Sequence, residues 1–131
     1  MNFFSVAALF LCSMKSIEEN IKDYVSAWNE TTPEGIKAGF EKCCTPDVTY
    51  TDKNTPKFSG IDRLTALVMS AHEKFPGIRF SVLSEPECFE GQAYYSWGVH
   101  FPETGDKAGR DFMEYDDNHF ITRIVGFLPV A

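Results

Sequence analysis

Asp47-Val48-Thr49-Tyr50-Thr51-Asp52, followed by Lys53-Asn54-Thr55-Pro56-Lys57-Phe58-Ser59-Gly60, is the stretch on which the fold turns. The first part alternates as a short strand with Val48, Tyr50 and Asp52 on one face, and a Pro/Gly loop after it opens a helix. A carboxylate thus ends a row that is otherwise apolar or aromatic. Burying an unpaired carboxylate is costly and raises its pKa toward the range where it can take up and release a proton, which makes Asp52 a candidate base.

Upstream, Ser16 and Glu19 form a capping box, and Ile17, Ile21, Tyr24, Val25 and Trp28 follow at helical spacing to a predicted end near Asn29. Thr32-Pro33 starts a second helix whose buried stripe is Ile36, Phe40, Cys43 and Cys44, with Pro46 as its stop. After Gly60, the run Ile61, Leu64, Leu67, Val68, Ala71 and Phe75 predicts a third helix, closed by Pro76-Gly77. The period then changes from helical to alternating. Strands are predicted over 78–84, 92–101, 110–116 and 120–128, separated by Glu90-Gly91, a Gly/Pro loop over 102–109, and Asp117-Asn118. Helices followed by an antiparallel meander define an α+β domain with helices on one face of a curved sheet.

The chain has 131 residues, 44% hydrophobic and 15% aromatic with twelve phenylalanines, enough for one core and a modest aromatic-lined pocket. A formal charge of -7 without any run of Lys or Arg argues against nucleic acid and against an anionic membrane surface as partners. Cys12, Cys43, Cys44 and Cys88 carry no C-x-x-C spacing and are read as reduced thiols of a cytoplasmic chain. His72, His100 and His119 form no ligand pattern, so no metal site is expected. Residues 1–13 are an apolar extension, too short to span a bilayer and with no Lys or Arg before it, and Leu11 is too bulky ahead of Cys12 for a lipoprotein signal. Removing the extension as a signal peptide would leave an odd three cysteines, and Met14-Lys15-Ser16 fits a domain start; the expected domain is 14–131.

Several of these features, taken in order, resemble the NTF2-like superfamily and within it the SnoaL-like group over residues 17 to 127. They are the opening helix with Tyr24 and Trp28, the Pro46-to-Asp52 strand, the Gly60-led helix, Phe75-Pro76-Gly77-Ile78-Arg79-Phe80, and Asp111-Phe112-Met113-Glu114-Tyr115-Asp116-Asp117-Asn118-His119-Phe120-Ile121. The resemblance implies a cone: three N-terminal helices packed in a strongly curved, mostly antiparallel sheet, with a pocket at the wide end. It also implies a homodimer paired through the outer sheet face, a small hydrophobic ligand, and no metal or organic cofactor. Members include ketosteroid isomerase, polyketide aldol cyclases, limonene epoxide hydrolase, scytalone dehydratase and pocket proteins with no known reaction, so the fold leaves the function open.

Compared with ketosteroid isomerase, Asp52 resembles the aspartate base, Tyr24 the oxyanion tyrosine and Asp111 the protonated aspartate. The residues themselves are compatible with those roles. Tyr24 lies on the apolar stripe of its helix, and a buried phenol wants a partner; Asp111 shares a strand face with Met113 and Tyr115, a poor solvent for a charge. Other accounts of the three are a core tyrosine, a solvated strand-end carboxylate, and a partner for Lys107, Arg110 or Arg123. Where the isomerase supports its oxyanion tyrosine with further tyrosines, this chain has Cys44 and Val68, so steroid isomerisation is not expected. Isomerisation or aldol cyclisation of another carbonyl compound survives that difference.

The side chains expected to line the pocket besides these three are Trp28, Tyr50, Phe58, Val68, His72, Trp97, His100, Met113 and Tyr115. A dehydratase of the scytalone type would draw on Asp23, Tyr24, Tyr50, His72 and His100. An epoxide hydrolase would need an Asp-Arg-Asp arrangement, but the adjacent Arg110 and Asp111 should point to opposite faces. A non-catalytic pocket or dimerisation domain explains the same aromatics. What separates these is whether Asp52 lies inside the pocket with Tyr24 and Asp111 facing the same space.

Overall fold

The computed structural model describes residues 14–129; the apolar extension lies outside them. Helix α1 (Ile17–Ala27) begins where Ser16 Oγ accepts the Glu19 N–H, and α2 (Pro33–Glu41) where Thr32 Oγ1 accepts the Gly35 N–H and proline fills the first turn. Helix α3 (Ile61–Lys74) follows Gly60, whose φ of 106° only glycine adopts without strain. Each helix buries one stripe: Ile21, Tyr24 and Val25 from α1, Ile36 and Phe40 from α2, Leu64 and Val68 from α3.

Among the described residues seven strands form one curved, unclosed sheet: β1 (Cys44–Asp52), β2 (Thr55–Ser59), β3 (Arg79–Val82), β4 (Glu87–Phe89), β5 (Gln92–Phe101), β6 (Gly105–Tyr115) and β7 (Ile121–Phe127). The order is β2-β1-β7-β6-β5-β3, with β4 also on β5; every pairing is antiparallel except β1 with β7. The helices cover the inner face, where Tyr95, Met113, Ile121 and Ile124 meet their apolar stripes. The result is the expected α+β cone with a mostly antiparallel sheet, β1 and β7 being its one parallel pair among the described residues.

Three local expectations are corrected. Pro46 does not stop α2, which ends at Glu41 with Lys42 as its cap. It lies inside β1, where the register against β7 shifts between Cys44 and Thr49; a residue without an N–H cannot donate to that ladder. The stretch 53–60 is not all loop, because β2 folds back on β1 with Asp52 opposite Thr55. The loop after β5 is also shorter than expected, since β6 starts at Gly105. Both added pieces of strand are largely exposed and polar, so they carry no apolar alternation to betray them.

Cys43, Cys44 and Cys88 are free thiols, the first two buried with their sulfurs 3.8 Å apart. Among the described residues no helix is long and apolar enough to cross a membrane.

Candidate active site

A cavity of about 580 Å³ opens between α1, α3 and the inner face of the sheet, in the size range of small-molecule pockets. Asp52 reaches it because β1 alternates: Tyr50 and Asp52 both face inward, with the pairing to β2 shifting register between them. Asp52 Oδ2 accepts the Tyr50 hydroxyl at 2.7 Å, and Oδ1 accepts the Asn54 N–H at 2.8 Å, so the half-buried carboxylate is fixed from two sides. The Tyr50 ring lies between Phe58 and Trp28, with centroids 5.7 and 6.4 Å away. Burial first, then the bond to Asp52 and its charge, raise the Tyr50 phenol well above its ordinary range, so it acts as a donor.

Asp111 lies deeper, only 6% exposed. The Tyr95 hydroxyl donates to Oδ2 at 2.6 Å and the Trp97 indole N–H to Oδ1 at 3.0 Å. Burial pushes the carboxyl up to about 7; the two hydrogen bonds pull it down, and the Asp52 charge adds a smaller push upward. Asp111 is therefore a carboxyl that carries its proton for part of the time at neutral pH. Tyr24 is 2% exposed, packed on Phe40 with ring centroids 5.5 Å apart. Its phenol is raised by burial, then by Asp111 and Tyr50, while the Trp28 indole beside it works the other way.

Glycine 126 marks where these groups meet. A Cβ there would stand 3.1 Å from Tyr50 Oη, 3.6 Å from Asp111 Oδ1 and 3.6 Å from Asp52 Cβ. The two carboxyl-bearing side chains and the Tyr50 phenol thus converge on one spot of β7 that has no side chain to fill it.

Of the side chains expected in the pocket, Tyr24, Trp28, Tyr50, Asp52, Trp97 and Asp111 line the cavity. The other six do not. Phe58 is buried behind Tyr50, and Val68 and Met113 are fully enclosed in the core. His72 holds the Trp28 carbonyl at 2.7 Å through Nε2. His100 alternates with the inward Val99, so it faces out and pairs with Asp106 at 2.6 Å. Tyr115 lies at the Gly91 end of β5, edge-on to His119, away from the cavity. Asp111 pairs with none of Lys107, Arg110 and Arg123, and Arg110 points outward to Tyr94 and Phe127.

Tyr95 as the donor to Asp111, and Gly126, were not anticipated. Tyr95 had a partial signal, two residues before Trp97 on the same strand face, while its place directly across from Asp111 is set by the β5–β6 pairing register. Gly126 had none. Among the described residues no histidine and no arginine lines the cavity, which speaks against the His-Asp pair of a scytalone-type dehydratase and the central arginine of an epoxide hydrolase. Its two carboxyl groups, one half-buried and one buried, are equipped to handle protons.

A helix-filled cone with a polar cluster set in an aromatic cavity is the NTF2-like architecture, one that houses both enzymes and binding proteins. The sequence matches the SnoaL-like domain over residues 21–123, and the chain belongs to the SnoaL-like family. A protein of Agrobacterium tumefaciens from the SnoaL-like family, a candidate isomerase, is 26% identical with a TM-score of 0.76, covering 86% of this chain and 96% of its own. A candidate SnoaL-like polyketide cyclase from Jannaschia is 14% identical with a TM-score of 0.64, over 86% and 88% of the two chains. A Catenulispora acidiphila protein with a ketosteroid isomerase-like fold, in complex with trimethylamine, is 13% identical with a TM-score of 0.67, over 86% of each. No curated protein matches the sequence.

Proposed function

We propose that the cavity catalyses cofactor-independent proton transfer next to a carbonyl in a small hydrophobic substrate, an isomerisation or an aldol-type cyclisation. The observation that supports it is the placement of Asp52, Tyr24 and Asp111 in the lining of one cavity, with Asp52 fixed by Tyr50. Asp52 removes the proton from the carbon beside the carbonyl, the C–H electron pair becomes the enolate double bond, and the carbonyl oxygen takes the negative charge. Tyr24 and protonated Asp111, both buried, donate to that oxygen. Asp52 then returns the proton at a different carbon, or the enolate carbon attacks a second carbonyl of the same molecule. Tyr50 is a positioning residue. Its phenol fixes the base and, held protonated, does not compete for the substrate's proton.

Planar phenols imitate the enolate. Binding of 2-naphthol, followed by its fluorescence, is expected to weaken about tenfold in Tyr24→Phe, the loss of one hydrogen bond to a charged oxygen, and measurably in Asp111→Asn. Binding indifferent to both substitutions rules out the oxyanion site. A second reading, a pocket that binds without reacting, draws on the same geometry: both Asp52 oxygens already accept hydrogen bonds, which tempers the carboxylate as a base. Deuterium exchange at the carbon beside the carbonyl in candidate ketones, lost in Asp52→Asn, separates the two.

We also propose a homodimer paired through the outer sheet face. Tyr94, Phe112 and Val125 lie side by side across β5, β6 and β7, and Phe127 next to them is 46% exposed under the Arg110 guanidinium. Tyr94→Glu combined with Phe127→Glu, charges that Arg110 can pair with in a monomer, is expected to halve the mass seen by light scattering. An unchanged mass places the interface elsewhere or excludes one.

A further inference from the structure

Lys53 in the β1–β2 turn, Lys74 at the last residue of α3 and Lys107 in β6 all line the same cavity. They come from three elements far apart in the chain, and all three are exposed. Among the described residues none belongs to an ion pair; the cations in those pairs are Lys15, Lys37, His100 and Arg123. The Lys107 ammonium stands 5.8 Å from the Phe101 ring centroid, which holds that side chain along the apolar wall. In a chain of formal charge -7, three exposed lysines outside any of these ion pairs thus gather on the lining of one cavity.

The charges inside the cavity have the other sign. Asp52 and Asp111 are acidic, and Trp28, Phe80 and Trp97 give the space between them an aromatic surface. A ligand with an anionic end is therefore favoured one way round, its apolar body inward and its charge at the exposed lysines, away from the buried Asp111. The cations are three separate lysine side chains, and α3 presents its negative C-terminal end beside Lys74. That suits a singly charged carboxylate and disfavours a phosphate dianion. Building on the proton-transfer reading above, we infer that the substrate is an apolar carbonyl compound bearing a carboxylate at the end remote from the reacting carbonyl. The lysines then act as specificity residues, fixing which carbon of the substrate faces Asp52.

Two probes differing only in charge test this: 6-hydroxy-2-naphthoic acid and its amide, both with a phenol at one end of a flat apolar body. The acid is expected to bind about tenfold tighter than the amide at low salt, the sum of three exposed charge pairs. The advantage should fall away toward 0.5 M NaCl and vanish in the triple variant Lys53→Gln, Lys74→Gln, Lys107→Gln. The triple variant should still bind the amide, with a loss far smaller than the acid's, which also shows that the variant's cavity is intact. An acid that binds no tighter than the amide, or an advantage that survives the triple substitution, overturns the carboxylate assignment. In either case amide binding that still depends on Tyr24 leaves the proton-transfer reading standing. Failure of both probes to bind overturns the two together.

Discussion

Asp111→Asn is expected to make the protein more stable than the native chain as pH rises, and to lose that gain as pH falls. In the folded protein Asp111 titrates at about 7, against 3.8 for the exposed carboxyl of an unfolded chain. Between those two values the folded state holds a proton that the unfolded state has released. Stability therefore falls as pH rises through that window, and levels off above it where both states are ionised. The full span is 7 minus 3.8 pH units, about 4 kcal/mol at 1.36 kcal/mol per unit. Asparagine removes the titration yet keeps the hydrogen bonds, its carbonyl facing the Trp97 N–H and its amide donating to Tyr95 Oη, which then accepts. Urea unfolding of both proteins from pH 4.5 to 8 reads the effect, because groups that do not interact with Asp111 cancel in the difference. A difference that stays flat with pH means that the Asp111 carboxyl titrates as an ordinary surface aspartate.

The same residue shows how much of this site was legible in the sequence. That Asp111 would be buried followed from its place between apolar neighbours on one strand face. What would hold it there did not follow, because the donors come from β5, and pairing register is decided by turn lengths that single residues did not reveal. The loop between β5 and β6 was expected to run over residues 102–109, and the strand in fact resumes at Gly105, which brings Tyr95 opposite Asp111. The helix starts were legible to the residue, since Ser16 and Thr32 cap two of them and the apolar stripes repeat, whereas α2 ends at Glu41, short of the expected stop at Pro46. Histidines were the weakest guide. His72 and His100 carry the right chemistry for a catalytic pair, but one is held by a backbone carbonyl and the other faces solvent. Residue type names what a side chain can do, and only the strand's alternation tells where it points. Lys53, Lys74 and Lys107 had no joint signal at all, because nothing in their spacing connects a turn, a helix end and a strand.

Gly109→Ala is expected to destabilise the fold by about 3 kcal/mol, at the upper end for one methyl group forced into packed space. A Cβ at this position would lie 2.4 Å from Trp97 Cζ2, 2.7 Å from Trp97 Cη2 and 2.7 Å from the carbonyl oxygen of Phe127. The last of these belongs to the backbone of β7 and cannot rotate away. Nor can the indole move freely, because its N–H holds Asp111 Oδ1 and its ring packs against Phe80 with centroids 6.1 Å apart. Gly109 is thus not the turn glycine that its neighbours suggest but a strand glycine left bare so that Trp97 can lie flat over the sheet. If the indole yields, Asp111 loses a donor that favours its charged form, and its carboxyl should titrate above the native value of about 7. Two measurements on one variant then check the link from packing to chemistry: a lower urea midpoint, and a pH dependence of stability extended to higher pH. A stability within about 1 kcal/mol of native, in a region where a methyl should cost more, would mean that Trp97 and β7 adjust together, and that the sheet is softer around Asp111 than its geometry implies.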